Sequence, residues 1–184
     1  AIGGSAWVVN FGAEGGYVFG YGGQDVRIVD RFYLGSPRFR GFDIRGVGPR
    51  IIRKPVLADG TVVEDESTWV NDSIGGQAYY LGRVELQVPL GSKGAELGLR
   101  PSVYVDVGGL WDAPQQIFIT PPPPGQFGYK EFYYGDSAAP RVSIGAGVSW
   151  NSPFGPFRFD LAKALVTQQG DITKVFQFNV GTQF

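Results

Sequence analysis

Through most of the chain, apolar and polar residues alternate one by one. In 174–184, Phe176, Phe178, Val180, Thr182 and Phe184 share one face, and Gln177, Asn179, Gly181 and Gln183 share the other. In 141–150 the two sets are Val142, Ile144, Ala146, Val148 and Trp150 against Arg141, Ser143, Gly145, Gly147 and Ser149. Segments 6–21, 77–90, 102–111 and 156–163 repeat the pattern, and no segment has a clear 3.6-residue period. Successive side chains of a strand point to opposite faces, so the pattern predicts six strands and an all-β, antiparallel fold. About ten residues at roughly 3.3 Å each, tilted by about 40°, rise about 25 Å, the height of the apolar band of an outer-membrane barrel.

Alternation alone also fits a soluble sandwich, in which the apolar face is the core. The polar face separates the two readings. It carries mostly Gly, Ser, Asn and Gln with a few charges of both signs, not the Lys- and Glu-rich surface of a soluble sheet. Aromatic residues stand at strand ends (Trp7, Tyr21, Trp111, Trp150 and Phe184), as interface girdles require. The connections alternate as well, with 22–76 long, 91–98 short, 112–139 long and 151–155 short. Long outer loops and short periplasmic turns in that order predict a transmembrane β-barrel of the bacterial outer membrane, with Phe184 at the periplasmic face. The Pro121 to Pro124 run reads as a stiff extended stretch of an outer loop.

Composition narrows the function. The 184 residues fit one domain, and 16 Lys and Arg against 17 Asp and Glu leave no basic excess for nucleic acid. With neither His nor Cys, the usual zinc ligands and the Ser-His and Cys-His nucleophile pairs are missing, so no catalytic, metal or cofactor site is expected. The acidic residues Asp59, Glu64, Asp65, Glu66 and Asp72 offer oxygens for Ca²⁺, but their spacing matches no calcium loop, and a solvated acidic loop is the expectation. Gly145-Ala-Gly147 lies mid-strand and opens no helix, so it is no phosphate loop. There is no Met, so Ala1 is expected not to be a translation start, any signal peptide having been removed.

Residues 31–50 read RFYLGSPRFRGFDIRGVGPR, and IGGQAYYLGRVELQVPL, VYVDVGGLWD, VSWNSPFGPFRFDLA and FQFNVGTQF follow. These five segments, in this order, resemble the BamA family of outer-membrane protein assembly factors and their translocase relatives. The resemblance spans essentially the whole chain. It implies a sixteen-stranded barrel preceded by periplasmic POTRA domains, of which residues 1–184 match only the last six strands, with 22–76 as the long extracellular loop bearing the RGF motif. The POTRA domains and the first barrel strands are absent from this sequence.

The resemblance also implies roles for particular residues. Arg40, in the motif Arg40-Gly41-Phe42, would fold into the lumen and meet Glu85 and Asp106, both already on the polar face. A guanidinium donates up to five hydrogen bonds in a planar fork and can hold two carboxylates. Gly41 would supply the turn and Phe42 an apolar anchor. Gly181 would let the last strand bend at a weak seam with the first, unless it is an ordinary barrel glycine. Phe184 would be an assembly signal, a girdle residue, or both. The implied function is folding and insertion of β-barrel proteins, with outer-membrane lipid, unfolded clients and (through POTRA domains) accessory lipoproteins as partners. A related translocase or autotransporter-assembly barrel shares these features. A passive porin, with Glu14, Arg83, Arg141, Arg158 and Asp160 lining the lumen, belongs to a different class. Six strands alone leave two unpaired edges, so the chain is expected to oligomerise through them or to be covered by other chains.

Overall fold

The computed structural model describes residues 7–91, 96–114, 128–153 and 155–181. Among these residues there are nine strands: β1 (Val8–Tyr17), β2 (Arg50–Pro55), β3 (Val70–Ser73), β4 (Ala78–Gln87), β5 (Leu99–Trp111), β6 (Tyr129–Tyr134), β7 (Ser137–Ser152), β8 (Gly155–Val166) and β9 (Phe176–Val180). The six predicted strands are β1, β4, β5, β7, β8 and β9, which form one antiparallel sheet in that order. The Pro121 to Pro124 run and Phe184 lie outside the described residues.

The strand bounds differ from the pattern where alternation lapses. β7 starts at Ser137 rather than 141, because Ser137 still pairs with Leu110 of β5 across a register shift between Gly108 and Leu110. A bulge of this kind places an extra residue in one strand and breaks the period-two signal. β9 starts at Phe176 rather than 174 and pairs with β8 from Leu161↔Phe176 to Phe157↔Val180, the predicted residues 182–184 lying outside the described ones.

The sequence pattern gave no sign of a second sheet. Residues 22–76, expected to be loop, contribute β2 and β3, and 112–139 contributes β6. These pair antiparallel in the order β3-β2-β6. Lys54 of β2 stacks on Trp69, 3.8 Å from the ring centroid, and pairs with Glu64 at 2.6 Å. Arg53 bridges Glu131 and Asp72. The acidic residues of this region are therefore used one at a time. Asp59 accepts from the Thr61 N–H and Asp65 from the Ser67 N–H. Among the described residues no group of His, Cys, Asp or Glu is arranged to hold a metal ion.

The large sheet is inverted relative to a soluble one. Its apolar row is exposed, with Phe11 at 78% and Leu161 at 59%, whereas Asp106 and Ser143 on the opposite face are at 0%. The core lies on the polar side, where 18–77 folds back over the sheet. Leu34, Phe39, Phe42 and Val47 from that segment pack with Leu81 of β4 and Leu110 of β5. Burial of such side chains contributes roughly 1.5–3 kcal/mol each. Among the described residues no helix is long and apolar enough to cross a membrane, which leaves open crossing by strands.

Candidate functional site: a buried arginine on a folded-in loop

Arg40 sits at the tip of the folded-in segment, and three strands build its surroundings. Cross-strand pairing sets Glu85 opposite Tyr104 and Arg83 opposite Asp106, so Glu85 on β4 and Asp106 and Tyr104 on β5 form one inward cluster. On β7, Gly145 lies opposite Tyr104. A Cβ at Gly145 would come within 2.6 Å of the Tyr104 ring, so glycine here makes room for the tyrosine.

Into this cluster Arg40 places its whole fork. Nε donates to Asp106 Oδ2 at 2.8 Å and one terminal nitrogen to Asp106 Oδ1 at 2.6 Å. The other terminal nitrogen donates to Glu85 Oε2 at 2.6 Å. The backbone N–H of Arg40 adds a bond to Asp106 at 3.2 Å, and the guanidinium lies 3.3 Å above the Tyr104 ring centroid. Burial works against the charge on Arg40, but its bonds and proximity to Asp106, then to Glu85, outweigh this and raise its pKa above the ordinary arginine value. The charge is permanent.

A second arginine extends the cluster. Arg158 of β8 donates to Glu85 at 3.1 Å and 3.2 Å, and to Asp160 at 2.9 Å to 3.1 Å. Charges thus alternate along Asp106, Arg40, Glu85, Arg158 and Asp160. Beneath lies an open cavity of about 460 Å³, lined also by Arg83 and Arg100. Sequence reasoning placed Arg158 and Asp160 on the lumen face but not in contact with Glu85. Their two-residue spacing was the available signal.

The backbone from Arg40 to Phe42 is held as firmly. Ser143 Oγ donates to the Arg40 carbonyl at 2.5 Å, and Gln177 Nε2 to the Phe42 carbonyl at 3.1 Å. Phe42 is fully buried, with its ring centroid 4.6 Å from that of Phe39. Gly41 has φ of +87°, and a Cβ there would lie 2.9 Å from Ser143 Cβ and 3.4 Å from Ala162 Cβ. Gly60 has nearly the same φ, +85°, with nothing within 4 Å. Gly60→Ala should therefore cost only the left-handed backbone penalty, roughly 1 kcal/mol. Gly41→Ala should add overpacking and lose roughly 2–4 kcal/mol in thermal unfolding. Equal losses at the two positions would rule out close packing as the reason for Gly41.

Gly181 follows β9 with φ of +78°, a conformation that favours glycine, and its N–H donates to the Pro156 carbonyl at 2.8 Å. Two residues before it, Asn179 stands opposite Arg158 in the ladder. A further buried pair joins Arg141, which the alternation put on the polar face, to a partner that no pattern pointed to. Arg141 and Asp171, both at 0% exposure, meet at 3.1 Å. Arg141 also donates to the Gly135 and Ser137 carbonyls, and Asp171 accepts from the Gln168 and Gly48 N–H groups. Asp171 lies in an irregular connection where no period marks a face.

Comparison with known proteins accounts for nearly every described residue. The Omp85 superfamily domain matches residues 2–184. Outer membrane protein assembly factor BamA of Neorickettsia risticii is 36% identical over 177 residues, covering 96% of this chain and 20% of its own length. The protein of the same name from Neisseria meningitidis serogroup B is 28% identical over 186 residues, covering 94% of this chain and 21% of its own. In the crystal structure of BamA from Haemophilus ducreyi lacking POTRA domains 1-3, the match has a TM-score of 0.66 at 28% identity, over 94% of this chain and 30% of that one. The chain thus spans about a fifth of the curated relatives it matches. A family match from residue 2 to residue 184 leaves no part of the inverted sheet or its folded-in loop outside it, and the chain belongs to the Omp85 superfamily.

Proposed function

We propose that this chain is part of the barrel of an outer-membrane protein assembly factor, which folds and inserts β-barrel proteins into the bacterial outer membrane. The observation that carries this reading is a loop arginine buried in the polar interior between Glu85 and Asp106, in an inverted sheet. A pore for passive solutes does not need a loop tip fixed in its lumen, whereas a protein that handles unfolded strands needs a wall whose interior geometry is set. In this reading the sheet is the final part of a closed sixteen-stranded barrel, and residues 1–184 form one barrel portion whose 22–76 segment is extracellular. The carboxy terminus faces the periplasm, β9 is the seam strand bending at Gly181, and Phe184 is the terminal signal. Unfolded barrel proteins would add to the seam by β-augmentation, in which an exposed edge templates the incoming strand. Outer-membrane lipid surrounds the sheet, and accessory lipoproteins would act through POTRA domains. Alone, the chain would share its β1 and β9 edges with other copies. No chemical step is required of it, and no cofactor.

A related translocase or autotransporter-assembly barrel is the second reading, since the matched superfamily domain does not by itself fix the client. The full-length protein, reconstituted in vesicles, should speed the insertion of an unfolded barrel client well above protein-free vesicles. Cysteines replacing Asp65 and Pro153 in the same vesicles should react with an impermeant thiol reagent from opposite sides. Solute flux without any gain in client insertion would favour the porin, and labelling of both cysteines from one side would sink the proposed orientation.

A further inference from the structure

The outward face of the six-stranded sheet carries one charged residue among the described residues, Lys163. Its neighbours along β8 on that face are Leu161 and Leu165, at 59% and 57% exposure, and its partner across the ladder on β7 is Ile144. Every other charged residue on the strands of this sheet (Glu14, Arg83, Glu85, Arg100, Asp106, Arg141, Arg158 and Asp160) falls at an inward register position. Lys163 is exposed, and among the described residues the lysine ion pairs are those of Lys54 with Glu64 and Lys174 with Asp43. An ionisable side chain on an apolar, lipid-facing surface is costly unless something compensates it, and it marks a functional position by default.

The backbone around it is also unusual. The β8–β9 ladder runs up to Leu161↔Phe176, and the Ala162 N–H still reaches the Val175 carbonyl at 2.9 Å. Above that point the approach to β9 leaves β8. Residues 172–174 bond instead to the folded-in loop. Asp43 N–H donates to the Ile172 carbonyl, Ile172 N–H to the Gly46 carbonyl, and Lys174 N–H to the Gly41 carbonyl, at 2.8 Å to 3.1 Å. A notch therefore opens beside Lys163 where a neighbouring strand would otherwise continue. Lys174, next to Val175, brings a second ammonium to the same level, half-shared with Asp43 at 3.3 Å.

Height decides what fills the notch. Lys163 is eight residues on from Gly155 at the β7–β8 turn. At roughly 3.3 Å per residue and about 40° of tilt, that is about 20 Å up a band of about 25 Å, so a lysine reaching upward meets lipid headgroups. We propose that Lys163, at the notch where β9 leaves β8, binds the phosphate-bearing headgroup of an anionic lipid of the outer membrane. The inference rests on the membrane reading above, which sets which face meets lipid and which end is outermost. The site takes a phosphate-bearing headgroup with net negative charge, its acyl chains lying on Leu161, Leu165 and Ile144.

The test uses the full-length protein in detergent, titrated with phosphatidylglycerol or phosphatidylcholine, with bound lipid counted by native mass spectrometry. Wild type should retain one phosphatidylglycerol about tenfold more tightly than Lys163→Gln does, Lys163→Arg should keep it, and Lys130→Gln, on the second sheet, should match wild type. Phosphatidylcholine should bind wild type and Lys163→Gln alike. Equal retention of phosphatidylglycerol by wild type and Lys163→Gln overturns the site. If those proteins still insert into vesicles, the membrane reading survives that result. If neither inserts, the membrane reading fails and the site falls with it.

Discussion

Replacing Arg40 with alanine should release the folded-in loop from the sheet without dissolving the sheet. The substitution leaves Asp106, at 0% exposure, with only the 3.2 Å backbone bond from residue 40 and no cationic partner at hydrogen-bond distance. Removing one member of a buried ionic network typically costs about 3–5 kcal/mol, because the remaining charge has lost both its partner and its water. Glu85 is spared by its two bonds to Arg158, so the damage concentrates on Asp106 and the loop. Amide exchange over residues 31–50 of the full-length protein should accelerate at least a hundredfold, 1.4 kcal/mol being tenfold, while β4 and β5 stay protected. Arg40→Lys should rescue little, since an ammonium cannot span three carboxylate oxygens in a plane. Arg40→Ala and Asp106→Ala should be non-additive. Unchanged exchange in 31–50 would show that the apolar contacts of Phe39 and Phe42 hold the loop unaided.

Asp171→Ala should be comparably costly, about 3–5 kcal/mol in the unfolding of the full-length barrel, although no periodicity or motif points to this residue. Its carboxylate gathers three parts of the chain. Arg141 approaches from β7, the Gln168 N–H from its own connection at 2.7 Å, and the Gly48 N–H from the folded-in segment at 3.4 Å. Without it, Arg141 keeps the Gly135 and Ser137 carbonyls but no counter-charge, at full burial. Asp171→Asn keeps an acceptor and should lose less. Arg141→Ala with Asp171→Ala should cost less than the sum of the single changes, since the two remove the same interaction. Additive losses would mean that the pair is two separate anchors.

Much of this architecture was legible because a sheet with unlike faces writes itself into the chain with a period of two. Glu85, Asp106, Arg158 and Asp160 could be put on one face by counting. The network among them could not, because it depends on how far a guanidinium on one strand reaches across the ladder. The second sheet was invisible for a related reason. Arg50–Pro55 holds two buried cations and ends in proline, Val70–Ser73 has four residues, and their partners lie elsewhere in the sequence. Such strands form because their partners are there, and carry no pattern of their own. Lys163 shows the opposite case. It could be counted onto the apolar face, yet its meaning depended on where the strand beside it stops.

The partners of the loop tip also fix the order in which the molecule can come together. Between residues 40 and 42 and the groups that hold them lie separations of 45 residues to Glu85, 66 to Asp106, 103 to Ser143 and 135 from Phe42 to Gln177. Closing each span costs chain entropy that rises with the logarithm of its length, and those bonds begin to repay it only once β4, β5, β7, β8 and β9 stand side by side. Until then Arg40 has no acceptors and Gly41 no wall to press against. The tip should therefore set last, after the pairing of strands, and contacts made that late are expected to slow unfolding without quickening folding. Kinetically, the arginine is a latch on a finished wall rather than a seed for building it.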